Sequence, residues 1–253
     1  MTGCLAIVGL GPGAPELMTP LAAETLRAAT DLVGYAPYLA RVPEGMGQRR
    51  HASDNREELA RARQALELAA QGKSVAVVSS GDPGMFAMAS AVFEAIETGN
   101  AAWKDIDITV VPGVSAMLAA AARIGAPLGH DFCVISLSDN LKPWELVLKR
   151  LEAAAAGDFI IVLYNPASKA RPWQLGEALG LIARHRAGAT PVIFARAVTQ
   201  ADESIEITTI AEADPSRADM RTLVIVGSSA TRLIQGSRGP FVYTPRHAEL
   251  VEP

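Results

Sequence analysis

The sequence predicts an α/β protein of two domains, with a parallel sheet in the first half and a mixed sheet in the second. Three observations lead there. Short β-branched runs alternate with Ala/Leu-rich segments of helical period, the pattern of strands joined by crossover helices. The 253 residues suit either one large α/β domain or two of about 100 to 150 residues each. In the second half two β-rich runs, Pro191–Phe194 and Glu203–Thr208, are joined by a polar stretch too short for a parallel crossover, which makes that sheet mixed.

In chain order, strands are expected at Leu5–Val8, Asp31–Val33, Ser74–Val78 and Asp107–Val110. They continue at Phe132–Ile135, Phe159–Leu163, Pro191–Phe194, Glu203–Thr208 and Thr222–Val226. Helices are expected at Pro20–Ala28, Arg56–Ala70, Met85–Ile96, Ala116–Ile124, Pro143–Ala155, Pro172–Arg184 and Thr209–Ala213. Thr19 caps before a proline at the first helical position, and Asp54 and Ser115 stand where caps belong. Gly72, Gly99, Gly125 and Gly157 occupy positions of left-handed helix ends. The Gly/Pro-rich segment Gly125–Asp131 reads as a linker between residues 1–124 and 132–253, and the tail from Gly236 as an edge strand with a loose end.

Composition narrows the function classes. Lys plus Arg at 23 against Asp plus Glu at 27 leaves a net charge of −4, so no global attraction to nucleic acid or an anionic membrane is expected. The amino terminus lacks a basic stretch before an apolar one, and no run has the length of a spanning helix, so a soluble cytoplasmic protein is expected. Cys4 and Cys133 lie in apolar runs and read as reduced core thiols. His51, His130, His185 and His247 show no paired ligand spacing, so no metal site is expected.

Chemistry concentrates in the loops that follow strands. Gly9-Leu10-Gly11-Pro12-Gly13-Ala14 formally satisfies a dinucleotide fingerprint. However, Pro12 and Pro15 interrupt the turn, the helix waits until Pro20, and Asp31 begins the next strand instead of ending it. Such a loop suits a neutral or cationic nucleoside better than a diphosphate. Ser79-Ser80-Gly81-Asp82-Pro83-Gly84-Met85 offers a carboxylate that either caps a helix or accepts hydrogen bonds from a ligand. Val111-Pro112-Gly113-Val114-Ser115 repeats the strand-to-helix theme. If the strands are parallel, these loops open on one edge, where α/β sheets bind ligands. Ser136–Asn140, Leu163–Pro166 and Arg196–Thr199 make a second rim, and two rims make a cleft.

The ordered series VGLGPGAPELMT, SSGDPGMF, VPGVSA, LYNP, ARAVT and VGSS resembles the tetrapyrrole methyltransferases, over nearly the whole chain. Within that family GYAPYL, HDFCVISLSDNLKPWE and LYNPASKARPWQL are similar to the branch that methylates precorrin-3B at C17 in cobalamin synthesis. The resemblance implies the two-domain class III methyltransferase fold, S-adenosylmethionine as cofactor with S-adenosylhomocysteine as its product, a precorrin substrate and a homodimer. It implies cofactor contacts at Leu10, Pro12, Gly81, Asp82, Met85, Ser115 and Ala116, then at Tyr164 or Asn165 and at Ala197 or Val198. Many relatives carry Met where Asn165 stands and Gly-Thr where Val198-Thr199 stands.

The C17 branch also contracts the macrocycle, a step that calls for a general acid or base, and Asp139, Tyr38 and Tyr164 are the candidates. Arg41, Ser138, Lys142, Lys169 and Arg171 are candidate anchors for substrate carboxylates. The rival readings are another tetrapyrrole methylase, acting at C4, at C11 or on a cobalt-loaded ring, and a non-catalytic nucleotide-binding module.

Overall fold

The computed structural model describes residues 3–45, 47–55, 57–237 and 239–247. They form two compact units, one up to Ala116 and one from Met117 onward.

The first unit runs β1 (Cys4–Gly9), α1 (Pro20–Ala28), β2 (Asp31–Tyr35), a short α2 (Ala36–Leu39), β3 (Arg49–Ser53), α3 (Glu58–Ala70), β4 (Ser74–Ser79), α4 (Met88–Thr98) and β5 (Asp107–Val111). The strands pair in the order β3-β2-β4-β1-β5, every pairing parallel. Alternate residues of β1 serve the two faces, as the two-residue period requires. Leu5 and Ile7 pack with Leu66 of α3 and Val92 of α4. Val8 packs with Leu26 of α1 and Leu39 of α2. The chain leaves β1 toward β2 and leaves β4 toward β5 on the other side, so a topological switch point falls between β1 and β4.

The second unit takes nearly all of α5 (Ala116–Ile124), then β6 (Gly125–Ala126), β7 (Phe132–Ser136), α6 (Trp144–Ala156), β8 (Ile160–Tyr164) and α7 (Gln174–Ala183). It continues with β9 (Pro191–Arg196), β10 (Ser204–Thr209), β11 (Thr222–Val226), β12 (Arg232–Gly236) and β13 (Gly239–Tyr243). The main sheet has the order β10-β9-β11-β8-β7. Only β7 and β8 are parallel neighbours, and β9–β10, β9–β11 and β8–β11 are antiparallel, so the mixed sheet expected there is present. Because β11 runs against both β8 and β9, the carboxyl ends of β7, β8 and β9 share one edge. Leu151, Leu163, Leu175, Ile182, Phe194 and Val224 belong to the core beneath it.

Several expectations need correction. The division falls at Ala116, before the expected linker, and Gly125–Asp131 is not a free connection: Gly125 and Ala126 form β6, paired with Val242 and Tyr243 of β13. The tail is a hairpin, β12 with β13, where an edge strand and a loose end were expected; its residues 238 and 248–253 lie outside the described residues. No helix forms over 209–213; Thr209 ends β10 and the chain turns through Glu212 N–H to Thr209 C=O, five residues being too few to sustain a nucleus. The helix expected from Met85 starts at Met88, because the preceding loop keeps Phe86 at φ 52°. The expected helix start at Arg56 lies outside the described residues.

Thr19 caps α1 through the Ala22 N–H, but Asp54 does not cap α3, whose N-cap is Glu57; Asp54 Oδ1 accepts from Asn55 N–H instead. Gly72 is left-handed at φ 85°, whereas Gly157 stays at −80° and Asp158 takes the left-handed position at φ 57°. Gly99, at φ −107°, is not left-handed, and Gly125 reaches φ 126°. Of the two expected core thiols, Cys133 is half-buried against the core of the second unit, whereas Cys4 is exposed at the start of β1.

Candidate functional site

The loops after β1, β4 and β5 open side by side, since those three strands are neighbours. Glycines bring them together. A Cβ on Gly9 would lie 2.7 Å from Gly113 N and from Gly81 O, and one on Gly113 would lie 2.2 Å from Gly81 O, so only glycine lets the three backbones meet. Gly11 and Gly81 then exchange both backbone hydrogen bonds, at 3.2 and 2.8 Å, across the switch point. Both have positive φ, 72° and 66°, which glycine adopts without penalty. At Gly81 itself a Cβ would meet nothing nearer than Ser115 Cα at 3.8 Å and Ala116 N at 3.9 Å, so space remains in front of the start of α5.

Two side chains brace this knot. Arg41 donates through Nη1 to Ser80 Oγ (3.0 Å) and through Nη2 to the carbonyls of Leu10 (3.1 Å) and Gly11 (2.8 Å). Its Nε is buried without a partner, and burial lowers its affinity for the proton. Asp82 takes the Gly84 N–H on Oδ1 (2.8 Å) and the Gly113 N–H on Oδ2 (3.1 Å), tying the second loop to the third.

Leu10 is fully buried and its N–H donates to Ser79 O, so the first loop's backbone at Leu10 and Gly11 is spent largely on the protein, contrary to the expectation of an open polar loop. Pro12 and Ser115 are buried, while Met85 and Ala116 are half-buried. The first helix starts at Pro20, after a 3₁₀ turn over Pro15–Leu17, so no helix N-terminus meets the glycine turn and the dinucleotide geometry is absent. Tyr38 stacks edge-on to Tyr35 at 5.2 Å. Burial raises its hydroxyl pKa against the opposing pull of Arg41, which keeps it protonated.

The second edge is organised by side chains. Asn165, at φ 52°, donates from Nδ2 to Ser136 Oγ (2.9 Å), which also accepts from Ser138 N–H (3.3 Å). The Tyr164 hydroxyl accepts from Met117 N–H at 3.0 Å. Arg171, expected as a substrate anchor, is nearly buried and directed at the carbonyls of Leu137 and Asn165 (both 3.5 Å) and at Asp139 Oδ1 (3.7 Å). Gln174 Nε2 donates to Asp139 Oδ2 (3.3 Å), and Gln174 Oε1 is buried with no partner.

Ala197 (φ 48°) and Thr199 (φ 67°) shape the third loop of this edge, where Val198 is buried. A cluster of Arg196 and Arg221 with Asp202 and Asp219 fastens that loop; hydrogen bonds from Arg221 and then Arg196 hold the Asp202 carboxyl far below its usual range. Lys169 is exposed and Lys142 half-buried; burial and then the neighbouring Arg150 charge lower the Lys142 pKa.

Thus Gly81, Asp82 and Arg41 gather on one edge with Leu10, and Asp139, Arg171, Asn165 and Ser138 on the other. Sequence reasoning missed Gln174 and Arg61. Arg61, buried between Ser53 Oγ, Asp54 O and Met88 Sδ, falls on the Ala62/Ala65/Leu66/Ala69 face of α3, so helical period alone marks it as inward-facing. Backbone strain singles out the same loops. Of the five non-glycine residues with positive φ among those described, Phe86, Asn165, Ala197 and Thr199 lie on them and only Asp158 does not.

No group of three or more His, Cys, Asp or Glu able to hold a metal, and no helix long and apolar enough to cross a membrane, occurs among the described residues. The family model described as Tetrapyrrole (Corrin/Porphyrin) Methylases matches residues 4–214. A curated precorrin-3B C(17)-methyltransferase from Sinorhizobium sp is 57% identical over 97% of both chains. A probable cobalt-factor III C(17)-methyltransferase from Salmonella typhimurium is 39% identical over 96% of this chain and 98% of its own. The crystal structure of the methyltransferase CobJ superposes with a TM-score of 0.92 at 51% identity, covering 96% of this chain and all of the other.

Proposed function

Because the chain belongs to the tetrapyrrole methylase family, we propose that it is an S-adenosylmethionine-dependent methyltransferase of cobalamin biosynthesis that methylates precorrin-3B at C17 with contraction of the ring. The observation carrying this reading is the 57% identity over 97% of both chains to a relative of that name. The strained loops support it as the places where such chemistry would be held.

The cofactor fits the first edge. The space in front of Gly81, bounded by Ser115 and Ala116, is what a side chain would fill and a ligand can use. Gly81, Asp82, Met85, Ser115 and Ala116 would hold it there, with Leu10 and Pro12 shaping the wall. S-adenosylmethionine supplies an electrophilic methyl group on a sulfonium. The glycine-paired loops offer no cation to oppose its sulfonium charge except Arg41, which is turned onto the Leu10 and Gly11 carbonyls. Asn165, Ala197 and Val198 remain proposed cofactor contacts, with Tyr164 bonded to the Met117 N–H.

Methyl transfer to an electron-rich carbon asks for alignment and exclusion of water, and needs no nucleophilic side chain. Contraction asks for a moved proton. Of the three candidates, Asp139 is the first choice, because Gln174 and Arg171 hold its carboxylate on the second edge. Tyr164 is the second choice.

The test is anaerobic mass spectrometry of the product made from S-adenosylmethionine with precorrin-3B and, separately, with cobalt-factor III. A contracted product one methyl heavier from precorrin-3B supports the reading. Turnover of the cobalt-loaded ring alone would transfer the assignment to the other C17 substrate, and cofactor binding without turnover would leave a binding module. Sedimentation analysis tests the homodimer that the family resemblance implies.

A further inference from the structure

Two of the three tryptophans of the chain, Trp144 and Trp173, meet edge to face, with ring centroids 5.2 Å apart and planes at 82°. Trp144 opens α6 and Trp173 immediately precedes α7, so both lie past strands, β7 and β8, whose carboxyl ends form one edge. The two rings differ in freedom. Trp144 is fixed, its indole N–H donating to Glu177 Oε2 at 2.8 Å and its ring packed on the core. Trp173 is 49% exposed, and Leu141, three residues before Trp144, is 95% exposed. Large apolar side chains left in water beside a rigid brace mark a surface built for contact. Lys142 and Lys169 stand on the same two loops, and Arg150 lies on α6.

On the reading that the substrate is a tetrapyrrole polycarboxylate, we propose that Trp173, braced by Trp144, is the shelf against which the flat face of the macrocycle lies, with Leu141 on the loop that leads to Trp144 adding apolar contact and Lys142 and Lys169 meeting carboxylates at its rim. The occupant follows from the surface. An exposed indole and leucine want a broad apolar face, and lysines on the same loops want acidic groups at its periphery. A conjugated ring with carboxylate arms satisfies both. Trp173 and Leu141 are then contact residues and Trp144 a positioning residue.

The experiment is steady-state turnover of precorrin-3B and of cobalt-factor III by the wild type, W173A, W173F, L141Q, W144F and K169Q, with calorimetric titration of S-adenosylhomocysteine as a parallel readout. W173A is expected to raise the KM for the macrocycle roughly ten-fold, and W173F to restore most of it, an effect of the size of one aromatic contact. L141Q changes a side chain that packs on almost nothing, so it carries the test should W173A fail to fold; it is expected to raise the same KM several-fold. K169Q should raise it less and weaken its dependence on salt. Affinity for S-adenosylhomocysteine should be unchanged in all of them. Unchanged macrocycle KM in both W173A and L141Q overturns the shelf, as does an equal loss of macrocycle and S-adenosylhomocysteine affinity, which would mark a merely structural role. If the wild type binds S-adenosylhomocysteine and turns over neither tetrapyrrole, the substrate reading itself fails.

Discussion

The two loop edges are built by different means. At the carboxyl edge of the first sheet, Gly9, Gly11, Gly81 and Gly113 pack backbone on backbone, and Asp82 and Arg41 bond main-chain groups. At the carboxyl edge of the second sheet the fixed points are side chains, Asn165 on Ser136, Gln174 and Arg171 on Asp139, and the Arg196–Asp202–Arg221 cluster. There left-handed backbone is forced on Asn165, Ala197 and Thr199 instead of being given to glycine. A surface made of main chain has a shape that side-chain drift hardly alters, which fits a ligand common to a family. A surface made of side chains can be retuned residue by residue, which fits discrimination among related macrocycles.

The sharpest way to break this contrast is Gly113→Ala. Its new Cβ would sit 2.2 Å from Gly81 O, backbone that has nowhere to go, so a loss of about 3 kcal/mol in urea unfolding is expected. Gly81→Ala, with open space at its Cβ, should cost only the left-handed conformation, about 1–2 kcal/mol. Equal losses would show that close approach is not what the glycines supply.

Asp82→Ala removes the acceptor of two backbone N–H groups and should cost about 1.5–3 kcal/mol, with S-adenosylhomocysteine affinity falling as the second and third loops part. Full stability with lost affinity would instead make Asp82 a ligand contact only.

The opposite edge of the first sheet is a control. Buried Asp31 accepts from His51 Nε2 (2.8 Å) and Thr30 Oγ1 (2.9 Å), with Lys73 at 3.6 Å. Burial pushes its pKa up, but His51, Thr30 and Lys73 together outweigh that and hold it below the ordinary value. A carboxyl with a depressed folded pKa stabilises above its unfolded pKa, about 4, and that stability is lost as pH falls through the folded value. Asp31→Asn should therefore cost about 1 kcal/mol near neutrality and flatten the acid limb of the stability profile, leaving S-adenosylhomocysteine affinity unchanged.

Ala197→Gly is the smallest and has the opposite sign. Relief of φ 48° outweighs the added freedom of the unfolded chain, so the melting temperature should rise, by the equivalent of about 1 kcal/mol or less. A lower melting temperature would mean that the loop carries no strain.

Much of this was legible beforehand. The alternation of β-branched and Ala/Leu-rich runs predicts every strand of the two main sheets except β3, within a residue or two. The strand β3, RRHAS, escaped because an edge strand with exposed positions has no apolar signature. The tail hairpin escaped for a similar reason, as β12 is mostly exposed. Gly9, Gly81 and Gly113 announce the first edge by type alone. For Arg41 and Arg171, candidate anchors by sequence, the sequence shows a charge but not the carbonyls it faces, and both guanidiniums are turned inward. Trp144 and Trp173 lie 29 positions apart, and only the neighbouring ends of β7 and β8 bring them together.

The proposed cofactor site places a nucleoside cofactor of methyl transfer on the glycine-paired loops of β1, β4 and β5. Calorimetric titration of the wild type with S-adenosylhomocysteine, set beside a nicotinamide dinucleotide, tests it most directly. One S-adenosylhomocysteine site per chain and no heat with the dinucleotide are expected. Binding of the dinucleotide with none of S-adenosylhomocysteine would contradict it and return the Gly9–Ala14 loop to a dinucleotide role.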